Sequence, residues 1–260
     1  MRIYLFAILV FVSGCFSTKE QPTPQAPTEI FAQKVSKPKW VLLDHKYFKV
    51  FYDPQIRLAR YVVYTFDAEK FKSKKVARKN SFRTDPMLVE KNIPYAKPSE
   101  YKNSGFDQGH MAPFNDFSYS DEAGRETFVM SNMEPQTGTL NRNSWKQIEA
   151  QVHKWGCGEK RIIVITGPII TDKMQALKSG LGIPNDFFKI VIDDTPPRKA
   201  IGFVYHQSDD SKVKYKSRIT KVTEIEKVTG EKFEDQVVDD VKEVLKRDSK
   251  PEEWVEGKCG

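Results

Sequence analysis

Phe106-Asp107-Gln108-Gly109-His110-Met111-Ala112-Pro113, then Ser131-Asn132-Met133-Glu134-Pro135-Gln136 and Leu140-Asn141-Arg142-Asn143-Ser144-Trp145 through to Glu149, are the residues on which the reading of this chain turns. The first part sets a histidine directly after a glycine. Histidine takes and gives protons near neutral pH, with an unperturbed pKa of about 6.5, and Gly109 lets another group approach closely. Standing alone, His110 reads more readily as a structural histidine on a strand. The second part adds amides. Asn132, Gln136 and Asn141 are neutral oxygen donors, which suit a hard cation that keeps most of its waters, such as Mg²⁺. Turn and helix-cap chemistry accounts for one such asparagine and less well for the set. Glu149 lies two helical turns beyond Asn141, an offset of about 80° and about 12 Å on a regular helix. It therefore reaches an ion at Asn141 through a water, or makes a structural hydrogen bond.

Outward from this stretch the chain alternates strand and helix without a regular βαβ rhythm, which favours an α+β fold. Phe48–Tyr52 and Tyr61–Phe66 are aromatic and β-branched, with Asp53-Pro54 punctuating between them. Phe128–Met130, Arg161–Thr166, Phe187–Ile192 and Ala200–Val204 read as further strands, with Gly167-Pro168 ending the second of these. Trp145, Ile148 and Val152 give Asn141–Lys154 a helical stripe, and Gly156 and Gly158 can stop it. Thr223–Val228 and Glu234–Lys246 read as amphipathic helices.

Residues 1–14 carry Arg2, an apolar run from Ile3 to Val12, and Ser13-Gly14, the pattern of a signal peptide. Val12-Ser13-Gly14-Cys15 resembles a bacterial lipobox, which implies cleavage before Cys15 and its acylation; a plain signal peptide is the alternative. Residues 15–38, rich in Pro, Thr and Gln, read as the lipidated cysteine and a flexible tether, leaving 39–260 as the folded domain. The expected location is the bacterial cell envelope, anchored to the membrane by lipid, in the outer membrane or periplasm, with an extracellular location as the alternative. Phe16, where some lipoproteins carry a retention aspartate, favours the outer membrane. Export places Cys157 and Cys259 in an oxidising compartment, where they read as a disulfide pair or as two free thiols.

The chain has 260 residues, 42 basic and 35 acidic, a formal charge of +7. Cleavage would remove Arg2 and no acid, leaving +6. No apolar run suits a polytopic membrane protein, and three cysteines exclude a disulfide-dense scaffold or a Cys₄ zinc site. His45, His153 and His206 show no paired zinc-ligand spacing and read as structural or surface residues.

Taken together, Asp107-Gln108-Gly109-His110 and the ordered set Asn132, Pro135, Gln136, Asn141, Trp145 and Glu149 resemble the DNA/RNA non-specific endonuclease family. Weaker similarity runs from about Lys39 to Phe233, including Arg78–Pro86, Ile165–Pro168, Ile183–Lys189 and Glu226–Gly230. The resemblance implies a ββα-metal site on an α+β scaffold, with a central antiparallel sheet flanked by helices. It implies His110 as general base, Asn141 as Mg²⁺ ligand (Mn²⁺ substituting), and Glu149 orienting a water of the metal. It also implies Asn132 shaping the site around the phosphate and an arginine at the phosphate, Arg78 first and Arg83 second. Arg142 is a further candidate for backbone binding. DNA and RNA are the implied substrates, cut to 5′-phosphate and 3′-hydroxyl ends, with little sequence preference because phosphate contacts carry no base identity.

One position departs from the family pattern: its Asp-Arg-Gly-His arginine is Gln108 here. That removes a charge and a bidentate donor near the phosphate, and opens the alternative of a catalytically weak or inactive nucleic-acid-binding lipoprotein. A zinc hydrolase and a structural envelope lipoprotein are further alternatives. Intact His110, Asn141 and Glu149 favour the enzyme.

Overall fold

A computed structural model of the chain describes residues 28–29, 40–72, 76–193, 195–233, 242–246 and 249–259. The expected signal peptide and Cys15 lie outside these residues. So does most of the stretch read as a tether, and so do residues 234–241 of the second expected C-terminal helix.

In chain order the strands are β1 (Thr28–Glu29), β2 (Val41–Asp44), β3 (Phe48–Asp53), β4 (Leu58–Asp67), β5 (Phe106–His110), β6 (Met133–Thr137), β7 (Arg161–Ile169), β8 (Gln175–Ala176), β9 (Gly182–Ile183), β10 (Asp186–Asp193), β11 (Lys199–His206) and β12 (Ile219–Thr220). The α-helices are α1 (Pro86–Glu90), α2 (Asp121–Glu126), α3 (Trp145–Glu159), α4 (Val222–Thr229) and α5 (Lys242–Leu245). A seven-stranded antiparallel sheet runs β12-β11-β10-β7-β4-β3-β2, and β5 pairs with β6 as a separate hairpin. The class is α+β, a central antiparallel sheet flanked by helices.

The period-2 alternation of the strands builds two apolar layers, one per face. Val62, Tyr64, Phe66, Ile162, Val164, Phe187, Val191, Ile201 and Phe203 pack with Trp145, Ile148, Val152 and Trp155 of α3. Tyr61, Ile163, Ile165, Phe188, Ile190 and Ile192 face the other way, onto Val222 and Ile225 of α4 and Leu245 of α5. A sheet covered on both faces has near-continuous apolar strands, which is why these runs stand out in the sequence. Each buried stripe residue of α3 contributes on the order of 1.5–3 kcal/mol. The layer also fixes α3, and α3 carries part of the site.

Several expectations are corrected. Phe128–Met130 forms no strand; Val129 makes one isolated bridge with Arg83, and a 3₁₀ turn follows at Met130–Asn132. β7 runs through Gly167-Pro168, because Gly167 lies against the carbonyl of Arg60, where a Cβ would be 2.4 Å from that oxygen. The expected helix over Asn141–Lys154 splits into a π turn at Leu140–Ser144 and then α3, which continues to Glu159. Gly156 and Gly158 do not stop it, because they are sites of close packing: a Cβ would lie 2.4 Å from the Phe66 ring and 2.1 Å from the Val255 carbonyl oxygen, respectively. Thr28–Glu29, within the expected tether, pairs antiparallel with β8. The α4 helix matches its expected span within a residue and ends at Gly230, whose positive φ of 70° caps it. Cys157 and Cys259 form a disulfide, with Cα atoms 5.3 Å apart, that closes the C-terminal segment onto the end of α3.

Candidate active site

The hairpin of β5 and β6 sets His110 opposite Met133 and Gly109 opposite Glu134. Gln136 lies over Gly109, where a Cβ would come within 2.1 Å of its Oε1, so glycine is required there by contact. Asn132 fixes the chain just beyond His110. Its Oδ1 accepts from the Ala112 amide at 2.8 Å, and its Nδ2 donates to the carbonyls of Ala112 and Thr127. Asn132 is fully buried and its donors are spent on backbone. These bonds, all to backbone, hold the chain beside His110. From α3, the Trp145 indole donates to the His110 carbonyl at 3.3 Å and ties the strand end to the helix.

The His110 ring is boxed by aromatics, with the Phe128 ring centroid at 4.8 Å edge-on and that of Phe82 at 5.8 Å. Among the described residues its Nε2 has no hydrogen-bond partner. Burial, and then the Arg78 charge, push its pKa down to about 3. The ring is neutral at neutral pH and its orphaned nitrogen is free to accept a proton. Arg78 stacks on the same Phe128 ring, 5.2 Å from its centroid, and its charge acts on both His110 and Glu149.

Asn141 sits in the π turn, where such irregular turns are frequent at functional sites. It donates from Nδ2 to Asp107 Oδ2 at 3.0 Å. A carboxylate can only accept, so the amide orientation is set and Oδ1 is the atom left for a cation. Asp107 also takes a bidentate pair from Arg142, at 2.8 and 2.6 Å. Arg142, expected as a candidate for backbone binding, is paired with Asp107 while its side chain stays exposed. Burial pushes the Asp107 carboxyl up, but hydrogen bonds from Arg142 and Asn141 outweigh it and hold the carboxyl below its ordinary range. The π turn rotates less per residue than an α turn. It thereby narrows the offset expected between Asn141 and Glu149.

Glu149, on α3, is partly buried, and desolvation raises its pKa while Lys189 opposes the rise. Lys189 is fully buried, donates to Thr166 Oγ1 at 3.2 Å and lies 4.7 Å from the Trp145 ring centroid. Burial lowers its pKa, and Glu149 and Asp116 oppose this. Lys189 and Asp107 were not singled out from the sequence. The signal for Lys189 is a lone charge within Phe187-Phe188-Lys189-Ile190-Val191-Ile192; that for Asp107 is its place in the histidine motif.

Arg78, Phe82, Lys102, Phe106, Gln108 and Asn141 line an open cleft of about 390 Å³. Arg83 is elsewhere: its guanidinium donates to the Arg125 carbonyl, and its nearest charges are Arg125, Glu126 and Asp85. Of the two arginines expected at the phosphate, Arg78 lines the cleft and Arg83 does not. The other histidines are held by carboxylates, His45 by Asp85, His153 by Asp116 and His206 by Asp186. One oriented neutral oxygen at Asn141 and a carboxylate at Glu149 suit a hydrated hard cation rather than a stripped, soft one.

A family model described as DNA/RNA non-specific endonuclease matches residues 26–240. Mitochondrial endonuclease G of Homo sapiens is 30% identical over 152 residues, covering 54% of this chain and 50% of that protein. A nuclease of Nostoc sp. is 33% identical over 117 residues, covering 44% and 42%. The chain spans about half the length of the first curated relatives it matches. Among solved structures, the EndoG/EndoGI complex aligns with a TM-score of 0.64 at 24% identity, covering 75% of this chain and 86% of the other, a likeness of fold.

Proposed function

The chain belongs to the DNA/RNA non-specific endonuclease family, and on that premise we propose that it is a metal-dependent, sugar-non-specific endonuclease that hydrolyses DNA and RNA phosphodiesters. The observation that carries the reading is His110, whose Nε2 has no hydrogen-bond partner among the described residues and whose ring packs on Phe82 in the wall of a cleft that also holds Asn141 and Arg78. His110 takes the proton of the attacking water. Arg78 meets the phosphate, and Trp145 and Asn132 hold the base in place. Asp107 fixes the Asn141 amide, and Glu149 would orient water at a cation held there. Mg²⁺ held by Asn141 would stabilise charge on the phosphate and on the leaving 3′ oxygen. The products carry 5′-phosphate and 3′-hydroxyl ends. Residues 1–15 support export and lipid anchoring at Cys15 of the bacterial envelope, and the disulfide fits such a compartment.

The test is end-group analysis of a labelled duplex and an RNA cut by the full chain with Mg²⁺. Fragments with 5′-phosphates that ligate directly agree with the reading. Fragments ending in 3′-phosphate or 2′,3′-cyclic phosphate contradict it.

A further inference from the structure

Gln108 leaves the wall of the cleft one cation short of the family pattern; Arg78 is assigned to the scissile phosphate, and the other neighbouring arginines have partners. Arg142 is held by Asp107. Arg57 is held by Glu100 and the Ser179 carbonyl. Arg83 is turned to the Arg125 carbonyl. Lys102 differs from all three. It lines the same cleft as Gln108, Arg78 and Asn141, its side chain is exposed, and among the described residues no carboxylate lies within ion-pairing distance.

The position of Lys102 is built. It caps the 3₁₀ turn Pro98–Tyr101, donating its amide to the Ser99 carbonyl. Tyr101 before it is buried, and its hydroxyl donates to the Met133 carbonyl at 3.1 Å. Met133 is the register partner of His110. The turn is stiffened by Arg57 on Glu100 and by the Glu100 carboxylate on the Lys97 amide. After Lys102 the chain folds back tightly through Asn103 and Gly105, both at positive φ, and Ser104 Oγ accepts from the first strand amide, Phe106. The Lys102 backbone is therefore tied at both ends to the hairpin that carries His110, while its exposed ammonium pairs with no carboxylate among the described residues.

We infer that Lys102 supplies in the substrate cleft the positive charge that Gln108 lacks, by binding a backbone phosphate of the nucleic acid. The inference rests on the proposed nucleic-acid substrate. It does not depend on the chemistry of cutting. A lysine acts there as a mobile point charge, so it contributes to affinity and salt dependence more than to geometry at the scissile phosphate.

The test measures binding of the full chain to a fluorescent duplex by anisotropy in Ca²⁺ across a salt series. Lys102→Gln, Gln108→Arg and the double variant are compared with the parent chain, and cutting in Mg²⁺ is read alongside. Lys102→Gln is expected to weaken binding at low salt and to flatten the log Kd against log[salt] slope by about 0.9, one phosphate contact. Gln108→Arg in the Lys102→Gln background is expected to restore the slope. An unchanged slope in Lys102→Gln overturns the inference, as does a loss that Gln108→Arg leaves unrepaired. A parent chain that binds but does not cut would remove the nuclease reading and leave Lys102 judged by its slope. A parent chain that does not bind overturns both.

Discussion

Asn141 donates its side-chain amide hydrogen to Asp107 across the hairpin–helix junction, at 3.0 Å, so the oxygen of the amide is the end left to the cleft. Orientation of a cation ligand by a neighbouring carboxylate is worth about 10–100-fold in metal affinity or activity. Asp107→Asn, which cannot dictate the amide orientation and loses the Arg142 ion pair, is expected to raise the Mg²⁺ concentration for half-maximal cutting by about that factor. Its melting temperature should change little, since the Arg142 side chain of the lost pair is exposed. A Mg²⁺ titration of nicking rate checks this.

The acid limb of the pH–rate profile should belong to Glu149 and not to His110. Burial and Arg78 keep His110 neutral down to about pH 3, whereas desolvation raises Glu149 above the ordinary carboxylate range and Lys189 restrains it. Lys189→Met removes the restraining cation, so ionisation of Glu149 becomes harder and the limb moves to higher pH. Lys189→Arg should return it towards its original position. A limb that stays fixed in Lys189→Met would assign it to another group.

The sequence was a better guide to the candidate site residues than to the contacts that hold them. His110, Asn141 and Glu149 stand in a motif whose order survives in any fold that uses it, and the apolar runs of β7, β10 and β11 are visible because both faces of the sheet are covered. What escaped is what depends on contact. Gly156 and Gly158 look like helix stops until Phe66 and Val255 are seen against them. Asn132 looks like a site amide until its backbone partners take its hydrogens. Arg78 and Arg83 stand in one matching stretch that ranks them without separating them, and only Arg78 lines the cleft.

Glu134 makes stability depend on pH. It is fully buried opposite Gly109, accepts from the Ala59 amide at 3.0 Å, and desolvation raises its pKa well above the model-compound range. The folded chain keeps this proton while the unfolded chain loses it above about pH 4.5, so its cost to stability grows as pH rises from there towards the folded-state pKa. Glu134→Gln keeps the acceptor for Ala59. It should stabilise the chain at pH 8, with the gain gone near pH 4. Thermal melts at the two pH values check the sign.

The disulfide closes a separation of 102 residues and holds the C-terminal segment on α3. Cys259→Ser is expected to cost about 2–5 kcal/mol in denaturant unfolding, with the parent chain under reductant losing a similar amount. Equal unfolding midpoints of the parent and variant under oxidising conditions would remove the staple from the account.

The central claim is tested most directly by nicking of supercoiled plasmid by the full chain in Mg²⁺, with and without EDTA, beside His110→Ala. The account predicts cutting that EDTA abolishes and that falls by about 10²–10⁴-fold in His110→Ala, the usual contribution of a general base. Cutting that persists at the parent rate in His110→Ala, or plasmid that is bound but stays intact in Mg²⁺, would contradict it.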